Sequence, residues 1–242
     1  MYLLSPDVQK PPTLDNSINE SLASIAKKQQ EKTPLTNELA STVEAFRAQN
    51  IQSAKSRLNV CAEDIREQLE RLGNTSELCS QLGAVLGMLG DCCRALGDAA
   101  SAATYFEESV DFLSKLPMDD LEVKHTVSVS LNKIGDLKYY DGDLQGARSY
   151  YYRSLDVRRT AIKDRSDAPS QTLDVAVSLA KVADVDRNLG NEDLAINAFE
   201  EAIKCLKSLT LDSNQTVLEH RRLSVLEFVQ NQLAENTSTA SV

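Results

Sequence analysis

Three glycine-centred turns recur along the chain: Gly97-Asp98, Gly142-Asp143 and Gly190-Asn191. Aligning on the glycines brings much else into register. Seven residues before them stand Gly90, Gly135 and Ala183, each preceded by an aliphatic residue (Leu89, Ile134, Val182). Five residues after them stand Ala102, Ala147 and Ala195, and nine after stand Phe106, Tyr151 and Phe199. A glycine past a helix end takes the left-handed conformation without steric cost, and the Asp or Asn beside it is a good N-cap for the next helix. The repeating unit is therefore helix, turn, helix. Small residues on both helices let them approach closely, and the large residue at the ninth place fills the space between neighbouring pairs. One such pair cannot bury its apolar face alone, whereas stacked pairs can. The pattern predicts an all-α solenoid.

A degenerate copy comes first. Gln49 replaces the glycine, Asn50 keeps the cap, and Ala54, Leu58 and Cys61 follow in register. The predicted repeats are about 35–72, 77–116, 121–164 and 171–209, three of them clear and the first degenerate. A lone helix, 214–234, carries Val217, Leu218, Leu223, Leu226, Val229 and Leu233 and reads as a C-terminal cap. Residues 1–34 hold Pro6, Pro11 and Pro12 and read as a flexible arm, in which the spacing of Ile18, Leu22 and Ile25 predicts a short amphipathic helix. The polar stretch 235–242 reads as a disordered tail. None of the six prolines interrupts a predicted helix.

Composition narrows the function. Apolar residues make up 42% of 242, enough for a core, which in the absence of Trp must be built from Leu, Val, Ile and Ala. A net charge of −10 argues against a nucleic-acid backbone as ligand and against anionic membrane surfaces. No apolar run approaches the ~20 residues of a membrane span. The opening residues have neither the basic nor the apolar region of a secretory leader. The five cysteines (Cys61, Cys79, Cys92, Cys93, Cys205) fall in helical patterns and read as small buried hydrophobes of a reducing compartment. The expected location is the cytoplasm, with the nucleus equally compatible. His125 and His220 lie far apart, and no Gly-rich phosphate loop, paired-Cys metal spacing or nucleophile elbow occurs. No catalytic, cofactor or metal site is expected, and the chain does not read as an enzyme.

These residues resemble tetratricopeptide repeats. The family pattern of a large residue, Leu-Gly, turn Gly, Ala and aromatic is met by Leu86, Leu89-Gly90, Gly97, Ala102 and Phe106, then by Leu131, Ile134-Gly135, Gly142, Ala147 and Tyr151. Leu179, Val182-Ala183, Gly190, Ala195 and Phe199 meet it a third time. The spacings of 45 and 48 residues between successive turns exceed the basic ~34-residue unit and are similar to the kinesin-light-chain-like branch. The resemblance implies a right-handed α-solenoid whose first helices line a concave groove. It places Asp91 and Arg94 of one repeat on that face, with Asn132, Lys133, Asp136 and Tyr139 of the next and Lys181, Asp184 and Arg187 of the third.

Such a lining suits a protein or peptide partner: Asn132 for its backbone, the cations for its carboxylates, Tyr139 for an apolar anchor. The expected function is then a non-enzymatic adaptor. In the alternative reading the same Asp and Arg residues pair across neighbouring repeats and hold the stack. The chain would then be a structural subunit assembled through its ends or convex face. A clamp for the carboxylate terminus of heat-shock chaperones is not expected, because the matching places hold Gly87, Asp91, Lys133, Val177 and Lys181. In Tyr150-Tyr151-Tyr152 the central ring is the core aromatic, and the outer two either pack on the adjacent repeat or anchor a partner.

Overall fold

The computed structural model describes residues 50–116, 120–164 and 169–239. The arm 1–34 and the first helix of the degenerate pair lie outside them. Among the described residues there are eight helices and no strand: α1 (Ile51–Leu72), α2 (Ser76–Ala95), α3 (Ala99–Leu113), α4 (Leu121–Tyr140), α5 (Leu144–Asp164), α6 (Pro169–Asn188), α7 (Glu192–Ser208) and α8 (Thr216–Thr239). The last helix runs into the stretch read from sequence as a tail.

The turns form for the reasons the sequence offers. Gly97, Gly142 and Gly190 have φ of +81°, +83° and +81°. Each turn is closed by a backbone bond reaching back five residues: Asp98 N to Cys93 O at 2.9 Å, Asp143 N to Lys138 O at 2.9 Å and Asn191 N to Asp186 O at 2.8 Å. Asp98 caps α3 by accepting from Ser101 N, Asp143 caps α5 by accepting from Gly146 N, and Asn50 caps α1 by accepting from Ser53 N. The hydrogen bonds to Ser101 hold the Asp98 carboxyl below its usual pKa, and the one from Gly146 does the same for Asp143. Asn191 departs from the expectation. Its side chain makes no cap bond, and its Nδ2 donates instead to Asp186 Oδ1 at 3.2 Å. The buried carboxylate of Asp186 orients the amide through its Nδ2.

The chain forms two compact units, one up to Ser130 and one from Leu131. In the first, Ala54, Leu58 and Ile65 of α1 pack with Leu82, Val85, Leu86 and Leu89 of α2. Phe106 of α3, 1% exposed, lies directly against Gly90. Each fully buried Leu or Phe here contributes about 1.5–3 kcal/mol by leaving water. Ser109 Oγ, also buried, donates to Gly83 O at 2.7 Å, so the hydroxyl adds no unsatisfied group to the core.

The second unit repeats the device. Tyr151 of α5 lies against Gly135, and Phe199 of α7 is fully buried beside Ala195 and Ala202. The final helix α8 packs on α6 and α7, with Phe228 edge-on to Phe199 at 6.4 Å between ring centres.

Candidate functional site

The nine residues expected to line a groove divide between the units. In the first unit Asp91 and Arg94 sit one turn apart on α2. Arg94 Nη2 lies 3.4 Å from Asp91 Oδ1, and Arg94 Nε is buried without a hydrogen-bond partner.

In the second unit the residues of α4 and α6 form two hydrogen-bonded clusters, the first of which also takes in Tyr151 of α5. Lys181 Nζ meets Asp136 Oδ1 at 2.5 Å and lies 5.3 Å from the centre of the Tyr151 ring. The Tyr151 hydroxyl donates to the same Asp136 oxygen at 2.7 Å. Tyr139 donates to Asp184 Oδ2 at 2.8 Å and accepts from Asn188 Nδ2 at 3.0 Å. Burial pushes the Tyr139, Tyr151 and Asp184 pKa values up. Lys133 is half-buried one turn before Asp136.

Arg187 is enclosed. Its guanidinium stacks 4.8 Å from the Phe199 ring centre, Nη1 donates to Gln232 O and Oε1, and Nη2 meets Glu192 at 3.1 Å. Asn132 is 6% exposed and faces Ser178, Ser154 and Arg158. The amide orientation that satisfies its neighbours has the oxygen accepting from both Arg158 terminal nitrogens at 3.2 Å and the nitrogen donating to Ser154 Oγ at 3.1 Å. Asn132, Lys181 and Arg187 thus already have partners within the unit. A ligand carboxylate would have to displace an existing partner to reach either cation.

Asp184 carries a specific expectation. Its raised pKa means the buried carboxylate is less favourable in the folded state than in the unfolded chain. Between the unfolded value near ~3.9 and the higher folded value, the native state binds the extra proton, so stability falls as pH rises through that window and the cost is complete above it. Asp184→Asn keeps an oxygen for Tyr139 and sheds the charge. Its urea midpoint is expected above that of the wild type at pH 7, with the gap closing as pH is lowered toward 4.

Sequence reasoning missed two clusters. Asp186, fully buried, accepts from Arg148 Nε at 2.5 Å, Tyr152 OH at 2.7 Å and Asn191. Tyr152 is therefore bound to α6, with Arg148 stacked 4.5 Å from its ring centre. The second cluster is centred on Arg158, 7% exposed, which donates to Asp174 O at 2.7 Å and Ser178 Oγ at 2.9 Å. Arg221 Nη2 of α8 meets the Asp174 carboxylate at 2.9 Å. The signal for Arg158 was present in the sequence. Sixteen residues after the turn, where it stands, the other repeats carry Ile65, Leu113 and Leu206, all buried.

The cysteines are all free, and four of the five are buried. Burial lifts the Cys92 thiol to about 12, which leaves it protonated and unreactive at neutral pH. No group of three or more His, Cys, Asp and Glu poised for a metal occurs among the described residues. No described helix is long and apolar enough to cross a membrane.

Residues 84–112 and 127–166 each match a tetratricopeptide repeat family. The chain is a tetratricopeptide-repeat protein. It is 67% identical over 196 residues to Protein NCA1 of Arabidopsis thaliana, a match covering 81% of this chain and 48% of that one. The chain thus spans about half the length of that curated relative. Among solved structures it is similar to the kinesin-light-chain, nearly identical TPR-like repeats of Podosopora anserina. The TM-score is 0.57 at 15% identity, over 87% of this chain and 94% of that one. A point variant of those repeats gives 0.55 at 15% identity, over 84% and 96%. At such identity the likeness speaks to the fold alone: an all-α tetratricopeptide-repeat solenoid. Repeats of this kind are protein–protein interaction scaffolds in general.

Proposed function

We propose that the protein is an adaptor that holds a peptide segment of a partner against the first helices of its repeats. The observation behind this reading is the ledge on α4 and α6, where Tyr140 is 53% exposed and stands edge-on to Tyr139 at 5.9 Å. Tyr139 is fixed by Asp184 and Asn188, and Asn188 is exposed beside it. A rigid aromatic with an adjacent amide gives a peptide an apolar contact and a backbone partner with little ordering cost. The paired state of Lys181, Asp136 and Arg187 favours an uncharged, partly apolar segment over an acidic one. The setting is a reducing compartment, the cytoplasm or nucleus, with protein rather than nucleic acid or membrane as partner.

Asn132 and Lys181 are poor probes, because substituting them breaks contacts within the unit. Tyr140→Ala and Asn188→Ala change exposed side chains; Asn188→Ala releases its bond to Tyr139, which keeps its bond to Asp184. Peptides selected from a random library on the wild-type chain are expected to bind the double variant at least about tenfold more weakly. Equal binding to a folded double variant would move the function to the ends or the convex face.

A further inference from the structure

The ledge on α4 and α6 has a chemical bias beyond its exposed ring. Tyr140 and Asn188 are the last residues of the two helices, and the bond between Asn188 and Tyr139 brings both C-termini together. The negative ends of two macrodipoles favour a cation there. Asn188 Nδ2 uses both its hydrogens within the ledge, on Tyr139 OH at 3.0 Å and Asp184 O at 2.7 Å. The exposed amide therefore presents its oxygen outward, an acceptor with two lone pairs. Tyr140 is 53% exposed, and because it stands perpendicular to Tyr139 the neighbouring ring does not stack over it.

The charges nearby point the same way. Lys138 lies 3.4 Å from Asp143, Lys181 2.5 Å from Asp136 and Arg187 3.1 Å from Glu192, so these cations already have carboxylates. Asp141, directly after Tyr140, is exposed and forms no ion pair among the described residues. The groups the ledge has to spare are an amide oxygen, a carboxylate and an aromatic ring.

We infer that the segment held here carries an arginine, whose guanidinium lies over the Tyr140 ring and donates to Asn188 Oδ1, with Asp141 as its counter-charge. This rests on the peptide-binding reading of the ledge. A guanidinium suits these groups better than an ammonium, because its planar face stacks on a ring while its edge donates in a fork. The second lone pair of Asn188 Oδ1 is left for a backbone N–H of the segment.

Three immobilised pools of random nonapeptides, identical but for a central arginine, glutamate or leucine, test the inference with the full chain. The arginine pool is expected to retain the wild type about tenfold better than either other pool, the combined effect of an exposed cation–π contact and a solvated ion pair. Asp141→Asn changes an exposed side chain in a turn and should cut that preference about threefold. Tyr140→Ala with Asn188→Ala should abolish it, and Asp141→Asn carries the test if that double variant fails to fold. Equal retention on the three pools, lost in the double variant, would overturn the inference and leave the peptide-binding reading standing. Retention on none of the pools would overturn both. An arginine preference unchanged in all the variants would also overturn the inference, because it would be the attraction of a chain of net charge −10 for any cation.

Discussion

Asp186→Ala is expected to lower the unfolding free energy by about 3 kcal/mol, the scale for removing one member of a buried, hydrogen-bonded charge cluster. The carboxylate is fully buried, and three donors converge on it: Arg148, Tyr152 and Asn191. Arg148 and Tyr152 come from α5 and Asp186 from α6, so the substitution removes a tie between successive helices. The Arg148 side chain is 33% exposed and can recover water, which places the loss mainly on Tyr152, Asn191 and the space left behind. A double-mutant cycle with Arg148→Ala isolates the pairwise part, expected at about 1–2 kcal/mol because one partner is solvated. Urea unfolding of the four chains measures it. A loss below 1 kcal/mol for Asp186→Ala would mean the cluster does not hold α5 to α6. Asp184→Asn, two residues earlier, is expected to act in the opposite direction, because burial there raises the carboxyl pKa.

Gly90→Ala is expected to cost about 2–3 kcal/mol, at the upper end for overpacking a filled core. A Cβ at Gly90 would stand 2.6–2.8 Å from three atoms of the Phe106 ring, and that ring is 1% exposed with nowhere to retreat. Phe106→Leu in the same chain should restore part of the loss. Gly97→Ala is the control with a different cause. At φ +81° it has nothing within 4 Å of the added carbon, so only backbone strain of about 1–2 kcal/mol applies. Thermal and urea unfolding separate the cases, since Phe106→Leu rescues the first substitution and not the second. Equal losses with no rescue would show that close approach of α2 and α3 is not what requires a glycine at position 90.

The repeat was legible because it rests on local chemistry. A positive-φ glycine, a capping Asp and a small residue opposite a large ring are each dictated within one or two turns. The turns at Gly97, Gly142 and Gly190 therefore fall where the sequence puts them. The candidate site was legible only as a list of positions. Register gives the face on which Lys181, Asp136, Tyr139 and Asp184 stand. It does not tell whether a charge waits for a ligand or is already held by a residue 45 places away, as Lys181 is by Asp136.

The sequence by itself determined the helices, their pairing and the packing of small residues against rings, because these depend on backbone conformation and side-chain size at fixed spacing. Only the tertiary structure decided the partners of the charges. It placed Asp186 under Arg148 and Tyr152, enclosed Arg187 over Phe199, and put Arg158 where neighbouring repeats carry leucine or isoleucine. Those pairings join residues distant in the chain, and each is set by which groups lose water together when the helices stack.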